Sequence, residues 1–519
     1  MNDEALIQVD PPVVAKPSVV IACDLFRVTS TEGGLVWHQQ ANAELMRDLM
    51  RSALSHLDHV TVEILDHDAV GSSVTTIADS AALEDLGVQW LNRSSAPIDD
   101  ALKARIETAV AGKIVIGFEL PATLSGVIQA SAVALLNLAI HPCRFLDDLL
   151  LLGASNHPVF AAALERAKSD ERELFWAAGL LRCRISGSAT APEGLEAGRL
   201  ALIAGQMAMD RALINDGRFV SLADFADRIG EIAKDHDLLL ARAHPYAGFD
   251  VASALELVKI PNLRFTTSGT YALLASGRIA TVVAVSSSLL HEACYFGVAA
   301  EALAPGASHG FPLSPELTAF RAQALPGAIA DAVAVLTGRE PSGGPPVLAL
   351  GGAALRGLIE ETWGLTGINH VAPMLPAATL PDMRVSGNHP SVVAGLVSGW
   401  CPPEDWGVWA DGAVATFAFD WREAYGKGVV LAVDLASFPA SPDATQEVEI
   451  WVEGVRITTV AAPGLHRPVR AVFTVTRPRY PGPVQMHFVV REPLSAAGIT
   501  NGEDARKLGV GLIGIASLI

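Results

Sequence analysis

Between Asp237 and Gly297 the chain reads DLLLARAHPYAGFD, then a spacer, then TVVAVSSSLLHEACYFG. Two short apolar runs of β type, Leu238–Ala241 and Thr281–Val285, each stop at polar residues able to reach a ligand. The first delivers Arg242, His244 and Pro245. The second delivers Ser286, Ser287 and Ser288, then a helix start carrying His291 and Glu292. Buried strands that end at a polar turn and restart as a helix form the crevice of an open α/β sheet. Small hydroxyl residues at a helix start leave backbone N–H groups that hold a phosphate. Each residue also has an ordinary reading: the serines as helix caps, His244 as a turn histidine, Glu292 as a first-turn acid favoured by the helix dipole. Their succession on consecutive strand–helix units favours the ligand-binding reading.

The same stretch resembles the nucleotide-binding half of the capsule polysaccharide biosynthesis glycosyltransferases, the family that includes the bacterial β-Kdo transferases. That family shows a strand ending in His-Pro, matched by Arg242-Ala243-His244-Pro245. It shows a Ser-Ser-x-Gly-x-Glu-Ala element followed by glycine, matched by Ser287-Ser288-Leu289-Leu290-His291-Glu292-Ala293 and Gly297, with Leu290 in place of the glycine. Upstream it shows a strand running into Gly-Gln-x-x-x-Asp, matched by Leu200–Ala204 and then Gly205-Gln206-Met207-Ala208-Met209-Asp210. The match covers residues 195–340 well and the N-terminal region loosely.

Glycosyl transfer from a nucleotide-activated donor needs a phosphate cradle, a carboxylate near the anomeric carbon and a place for the acceptor hydroxyl. The transition state builds positive charge on the sugar and negative charge on the phosphate, which fixed N–H dipoles and a histidine stabilise. The resemblance gives that phosphate role to His244, Ser287 and Ser288, with Arg242 and Pro245 beside them, and the donor's ribose or base to Glu292. It makes Asp210 the candidate nucleophile or general base, in the double-displacement logic of retaining glycosidases, and Gly205 and Gln206 the donor-positioning turn. Asp210 also reads as an ordinary acid at a helix start. No DxD metal pair stands out, and Asp147-Asp148 reads as a cap, so a metal-independent enzyme with no cofactor is expected, the nucleotide sugar being its substrate. The resemblance suggests a CMP-Kdo-like donor and a polysaccharide or glycolipid acceptor. Two other classes stay open: a nucleotide-sugar epimerase in which Glu292 and His244 act on the sugar, and a non-catalytic, glycan-binding assembly subunit with a transferase-like body.

These residues must be carried by a larger frame. With 519 residues the chain exceeds one core and calls for two or three domains. A 50% hydrophobic and 18% charged composition is that of a folded globular chain. The formal net charge of -19 argues against nucleic acid as a partner and against direct docking on anionic lipid. A membrane role would therefore need a membrane-associated assembly partner. The five cysteines are scattered with no CxxC pair, which fits neither a disulfide framework nor a zinc site. With an acidic N-terminus unlike a secretory signal, the expected place is the cytoplasm, peripheral to the inner membrane where a partner holds the protein.

Residues 1–16 read as a flexible leader. A first Rossmann-like domain, 17–190, is expected from strands at Ser18–Cys23, Val60–Leu65 and Lys113–Glu119, a loop at Arg27–Gly34, and helices at about Gln39–Leu57, Asp99–Ala111 and Pro121–Ile140. Ser125–Ile140 is the longest apolar run, and Gln129, Ser131 and Asn137 interrupt it, so it reads as a buried helix rather than a membrane span. The loop Asp24–His38 is the expected acceptor side. The turn-rich stretch SGSATAPEGLEA, Ser186–Ala197, marks a boundary to a second Rossmann-like domain, 191–380. There Phe219–Asp235 and Pro315–Thr337 read as helices, Val347–Leu350 as a last strand and Ala353–Trp363 as a helix. Two such domains facing each other are the GT-B arrangement that the resemblance implies.

From about Ser386 the texture changes. Val448, Ile450 and Val452 alternate with Glu447, Glu449 and Glu453, the period of a strand with one wet face. Similar segments at Ala413–Phe419, Val429–Val433, Val469–Val475 and Val484–Val490 predict an all-β sandwich over 386–519. Four of the nine tryptophans fall in Trp400–Trp421, with a fifth at Trp451. Pro403–Trp409 and Asp504–Gly509 resemble a small C-terminal sandwich appended to polysaccharide-assembly enzymes. An exposed indole there offers a face for a sugar ring, whereas a buried one is core.

Overall fold

The computed structural model describes every residue except 1–16, 32–33, 56, 73–85, 188–197, 246, 306–316, 341–353, 364–377, 439–444, 466, 479–482, 496–505 and 519. The expected leader, the boundary stretch from 188, the strand at Val347–Leu350 and the start of Asp504–Gly509 lie outside the described residues. The protein is mixed α/β, with two sheets of six and five strands built largely or wholly of parallel strands and two antiparallel sheets of six and five strands. Its contacts divide it into two compact units: residues 1–141, 147–169 and 313–366 form one, and residues 142–146, 170–312 and 367–519 form the other.

The first unit holds a six-stranded sheet in the spatial order Thr318–Arg321, Leu150–Ser155, Ala134–Ile140, Ile114–Phe118, Ser18–Ala22, Thr61–Leu65. The last four are mutually parallel, Leu150–Ser155 runs antiparallel to them, and Thr318–Arg321, antiparallel to Leu150–Ser155, runs in their direction again. Helix Gln40–Ala53 buries Ala43, Met46, Leu49, Met50 and Ala53, the stripe of an amphipathic helix laid on a sheet.

Several elements differ from the expected ones, among them the helix expected over Phe219–Asp235, which begins only at Ala226. The helix expected over Pro121–Ile140 ends at Ser131, and Ala134–Ile140 is a strand buried along its whole length. A continuous apolar run carries no periodicity, so a strand buried on both faces looks like a buried helix. The helix expected over Pro315–Thr337 begins only at Leu325. Before it Thr318–Arg321 is a strand, and it pairs with Leu150–Gly153 of the N-terminal sheet, so the chain returns to that sheet late.

The expected loop Arg27–Gly34 is instead a hairpin, Val28–Thr31 paired with Gly34–Trp37. Buried Asp24 anchors it: its Oδ2 accepts the Trp90 indole N–H at 2.8 Å, and its carbonyl accepts that of Trp37 at 2.7 Å. The Arg27 guanidinium lies 4.5 Å from the centre of the Trp90 ring. Asp148 is a cap, as expected, its Oδ1 accepting from Leu149 N and from Arg356 N in the first turn of helix Ala354–Thr362.

The second unit joins a five-stranded parallel sheet to a two-sheet antiparallel sandwich. One sandwich sheet centres on Gly428–Ser437 and Lys507–Leu518, the other on Val414–Phe419, Val484–Val489 and Gln446–Val452. Leu431, Val433 and Leu435 of the first share one core with Phe417, Phe419, Ile450 and Phe488 of the second.

The sandwich is not tethered loosely to the parallel sheet. Gln485 reaches the edge strand Leu263–Phe265, accepting from Phe265 N at 2.8 Å and donating to Phe265 O at 2.7 Å, as a neighbouring strand would. Val489 and Trp451 enter the same apolar cluster as Leu239 and Phe265. This corrects the expected wet face of Gln446–Val452. Glu449 is buried, where Arg491 (2.8 Å), Arg456 (3.7 Å) and the Trp451 indole N–H (2.8 Å) satisfy it. No helix among the described residues is long and apolar enough to cross a membrane.

Candidate functional site

The parallel sheet of the second unit runs, in space, Leu263–Phe265, Leu238–Arg242, Leu200–Ala204, Ile279–Ala284, Ala299–Ala302. Every neighbouring pair is parallel. In chain order these are strands three, two, one, four and five of the sheet, so the winding reverses between Leu200–Ala204 and Ile279–Ala284. Crossover connections leave the sheet on opposite faces there, which opens a crevice at the carboxyl ends of those two strands. The elements read from the sequence as Gly-Gln and Ser-Ser-Ser emerge at that reversal.

The two strand ends are clasped together. Gln206 Oε1 accepts from Ser286 N at 2.9 Å, and Gln206 Nε2 donates to Ser286 Oγ at 3.3 Å. Ser286 Oγ in turn donates to Ala212 O. Ser286 is buried. Gln206 therefore ties the two strand ends together at the mouth of the crevice.

Gly205 allows the neighbouring strand to close in. Its N–H donates to Arg242 O at 2.8 Å, and a Cβ there would stand 2.8 Å from Phe249 Cε1 and 3.1 Å from Ala243 Cα. Met209 has φ +58°, a region that non-glycine residues rarely adopt, immediately before Asp210. Asp210 is exposed, and its Oδ1 accepts from Ala212 N at 3.1 Å, capping the short turn Arg211–Leu213.

His244 stands half-buried one strand over, with Pro245 in the turn beyond it. Burial lowers its pKa to about 4; the Asp210 carboxylate opposes that shift, and the Arg144 and Arg242 guanidiniums add to it. The imidazole is therefore neutral near pH 7. Arg242 is held by Ser268 O at 2.6 Å and Ala243 O at 3.2 Å. Burial also pulls its pKa down.

The two remaining serines flank the crevice. Ser287 Oγ accepts from Leu289 N at 3.3 Å, and Ser288 precedes the single-turn helix Leu289–Glu292 without a side-chain cap bond. Both are half-buried.

Glu292 lies below the surface. It is 3% exposed, and its Oε1 accepts both Arg144 N at 2.7 Å and the Tyr271 hydroxyl at 3.0 Å. It is a buried latch on segment 142–146, where Phe145 packs 5.2 Å from Phe296 and 6.2 Å from Tyr271 between ring centres.

The structure thus brings Asp210, Arg242 and His244 into one electrostatic neighbourhood beside the Gly205–Gln206 turn and the serines. Glu292 is buried behind them and holds the Arg144 backbone. Arg144 joins them in the electrostatic surroundings of His244. It lies in the dense polar-aromatic run His141–Asp148, 61 residues before Gly205, and only folding brings it near His244. Guanidiniums, an imidazole and serine hydroxyls are groups whose chemistry suits an anion carrying several oxygens.

No family model matches the sequence, and no curated protein does. Among solved structures the chain is similar to KpsC of Thermosulfurimonas dismutans, a β-Kdo 2,7 transferase, at 10% identity over 54% of this chain and 77% of that one, with a TM-score of 0.27. It is also similar to the CBM36-1 domain of a multidomain xylanase from the hindgut metagenome of Trinervitermes trinervoides, at 12% identity over 26% of this chain and 93% of that one, TM-score 0.17. A family 6 carbohydrate-binding module from Clostridium cellulolyticum in complex with xylose gives 15%, 26%, 95% and 0.16 for the same measures. Likenesses at these TM-scores establish neither a family nor an activity for this chain.

Proposed function

We propose that the protein is a glycosyltransferase that moves a sugar from a nucleotide-activated donor, CMP-Kdo-like or related, onto a growing surface polysaccharide or glycolipid. The observation that carries this reading is that Asp210 follows the strand at the winding reversal of the parallel sheet, beside the Gln206–Ser286 clasp, and shares an electrostatic neighbourhood with His244 at the end of the adjacent strand. Guanidiniums and N–H groups there suit the phosphate that leaves, and an exposed carboxylate suits the anomeric carbon. The three sequence elements that resemble the capsule glycosyltransferases fall at the same strand ends. In this reading the GT-B arrangement, a metal-independent route, a cytoplasmic site of action and a membrane-associated assembly partner go together.

The test is incubation of the purified chain with a panel of nucleotide sugars, with and without acceptor glycan. Nucleotide release that requires acceptor supports transfer. An altered free sugar nucleotide formed without acceptor would indicate an epimerase instead. Asp210→Asn is expected to lower turnover by about a hundredfold or more while donor binding persists, as for loss of a group used in the transition state.

A second reading, a non-catalytic assembly subunit, is favoured by one observation: the Glu292 carboxylate is occupied by Arg144 and Tyr271 rather than open to a ribose. Absence of both turnover and nucleotide binding would select it.

A further inference from the structure

The tryptophan-rich part of the sandwich divides between its two ends. At one end Trp409 is buried, Trp406 packs on it edge-to-face at 4.9 Å, and the Trp406 indole N–H is taken by Glu404 at 2.8 Å. These rings are largely committed to the protein. Strand register places Trp409 opposite Gly511, and Gly511 opposite Ala436, near the far end of Gly428–Ser437. Trp421 and Lys427 precede the near end of that ten-residue strand, about 30 Å away at the usual rise per residue.

At this second end Trp421, Glu423, Gly426, Lys427, Thr476 and Arg477 line an open cleft of about 660 Å³. Trp421 is half-buried and fixed edge-to-face on buried Tyr425 at 5.4 Å, so one part of the ring is anchored in the core and the rest borders the cleft. Lys427 and Arg477 extend the antiparallel pair that aligns Gly428 with Thr476, and Arg477 N donates to Lys427 O at 3.0 Å. Two cations therefore stand directly opposite one another, an arrangement that costs stability in a ladder. Among the described residues neither side chain has an ion-pair partner, in a chain whose net charge is -19. By contrast Arg384 and Arg470, on the same sheet, both pair with Asp434.

An anion brought from outside would relieve the repulsion between Lys427 and Arg477. The ring of Trp421 adds a flat apolar face, and Glu423 and Thr476 add acceptors and a hydroxyl for hydrogen bonds. Aromatic face, paired cations and hydroxyl-seeking groups in an open cleft match a sugar ring bearing a carboxylate. We propose that this end of the sandwich is a binding site for an acidic saccharide, with Trp421 under the ring and Lys427 and Arg477 on its carboxylate. The expectation that the occupant is a glycan rests on the transferase reading; the site's preference for an acidic one comes from its own residues.

The test uses the full chain and calorimetric titration with a short oligogalacturonate, with its uncharged methyl ester, and with inorganic phosphate. The acid is expected to bind, and the ester to bind at least about tenfold more weakly. Trp421→Ala and the double variant Lys427→Ala/Arg477→Ala are each expected to lose about tenfold or more, the scale of a binding hot spot, with nucleotide affinity unchanged. Equal binding of the ester, phosphate competing as well as the saccharide, no response to either variant, or no binding of the acid by the folded chain would each overturn the proposal. Saccharide binding that persists in a chain devoid of transfer activity would support this site while removing the transferase reading.

Discussion

Glu292 offers the sharpest test of how the strand ends work. The sequence reading places its carboxylate on the donor's ribose or base; the structure turns it inward, onto Arg144 N at 2.7 Å and the Tyr271 hydroxyl at 3.0 Å. Glu292→Ala would orphan two donors at a buried position. Hydrogen bonds to a charged acceptor contribute about 1.5–3 kcal/mol each, so the loss is about 3–6 kcal/mol. For a unit of about 300 residues each kcal/mol moves the melting midpoint by about 1.5 °C, so the transition of the second unit should fall by at least about 4 °C. Glu292→Gln keeps an acceptor oxygen and should lose about half as much. The assay pairs differential scanning calorimetry with nucleotide titration on both variants. If the latch is the role, Glu292→Gln loses stability and keeps its nucleotide affinity. A Glu292→Gln chain that melts like the parent yet binds nucleotide about tenfold more weakly would refute the reasoning and return the carboxylate to the ligand.

Gly205→Ala places a methyl group 2.8 Å from Phe249 Cε1 and 3.2 Å from Arg242 O, which should cost about 1–3 kcal/mol in denaturant unfolding and weaken nucleotide binding by forcing the strand ends apart. Gln485→Leu removes both hydrogen bonds to Phe265 and should destabilise the junction by about 2–5 kcal/mol, read as faster proteolysis between parallel sheet and sandwich; an unchanged cleavage rate would contradict the account of the fused unit. Burial sets the folded pKa values of His244 at about 4 and His487 at about 3, both below the ordinary 6.5. The unfolded chain then binds more protons than the folded one below that ordinary value, so stability falls as pH drops from about 6.5 toward 4 and 3, by about 1.4 kcal/mol per pH unit for each histidine, and is flat in this respect above 7. His487→Asn should flatten the acid limb of a melting-midpoint profile.

What the sequence determined by itself was local. The apolar runs Leu200–Ala204 and Leu238–Arg242 are strands because short β-type runs bounded by polar turns have one economical structure, and helix Ala354–Thr362 follows from its pattern in the same way. The alternation at Val448, Ile450 and Val452 likewise marks their inward face correctly. Where a run carried no period, as in Ala134–Ile140, the sequence could not separate strand from helix.

Tertiary structure alone decided which ends meet. Gln206 and Ser286 are 80 residues apart and become a clasp only because their strands are neighbours at the winding reversal. Glu292 is a latch because folding buries it, and Arg144 reaches His244 from a segment 100 residues away. Lys427 and Arg477 become one charged pair only through the register of Gly428–Ser437 with Val469–Thr476. Side-chain periodicity is written within a few residues, and so survives in the sequence. Burial, electrostatic environment and hydrogen-bond partner are set by neighbours far along the chain, and exist only once the sheets have formed.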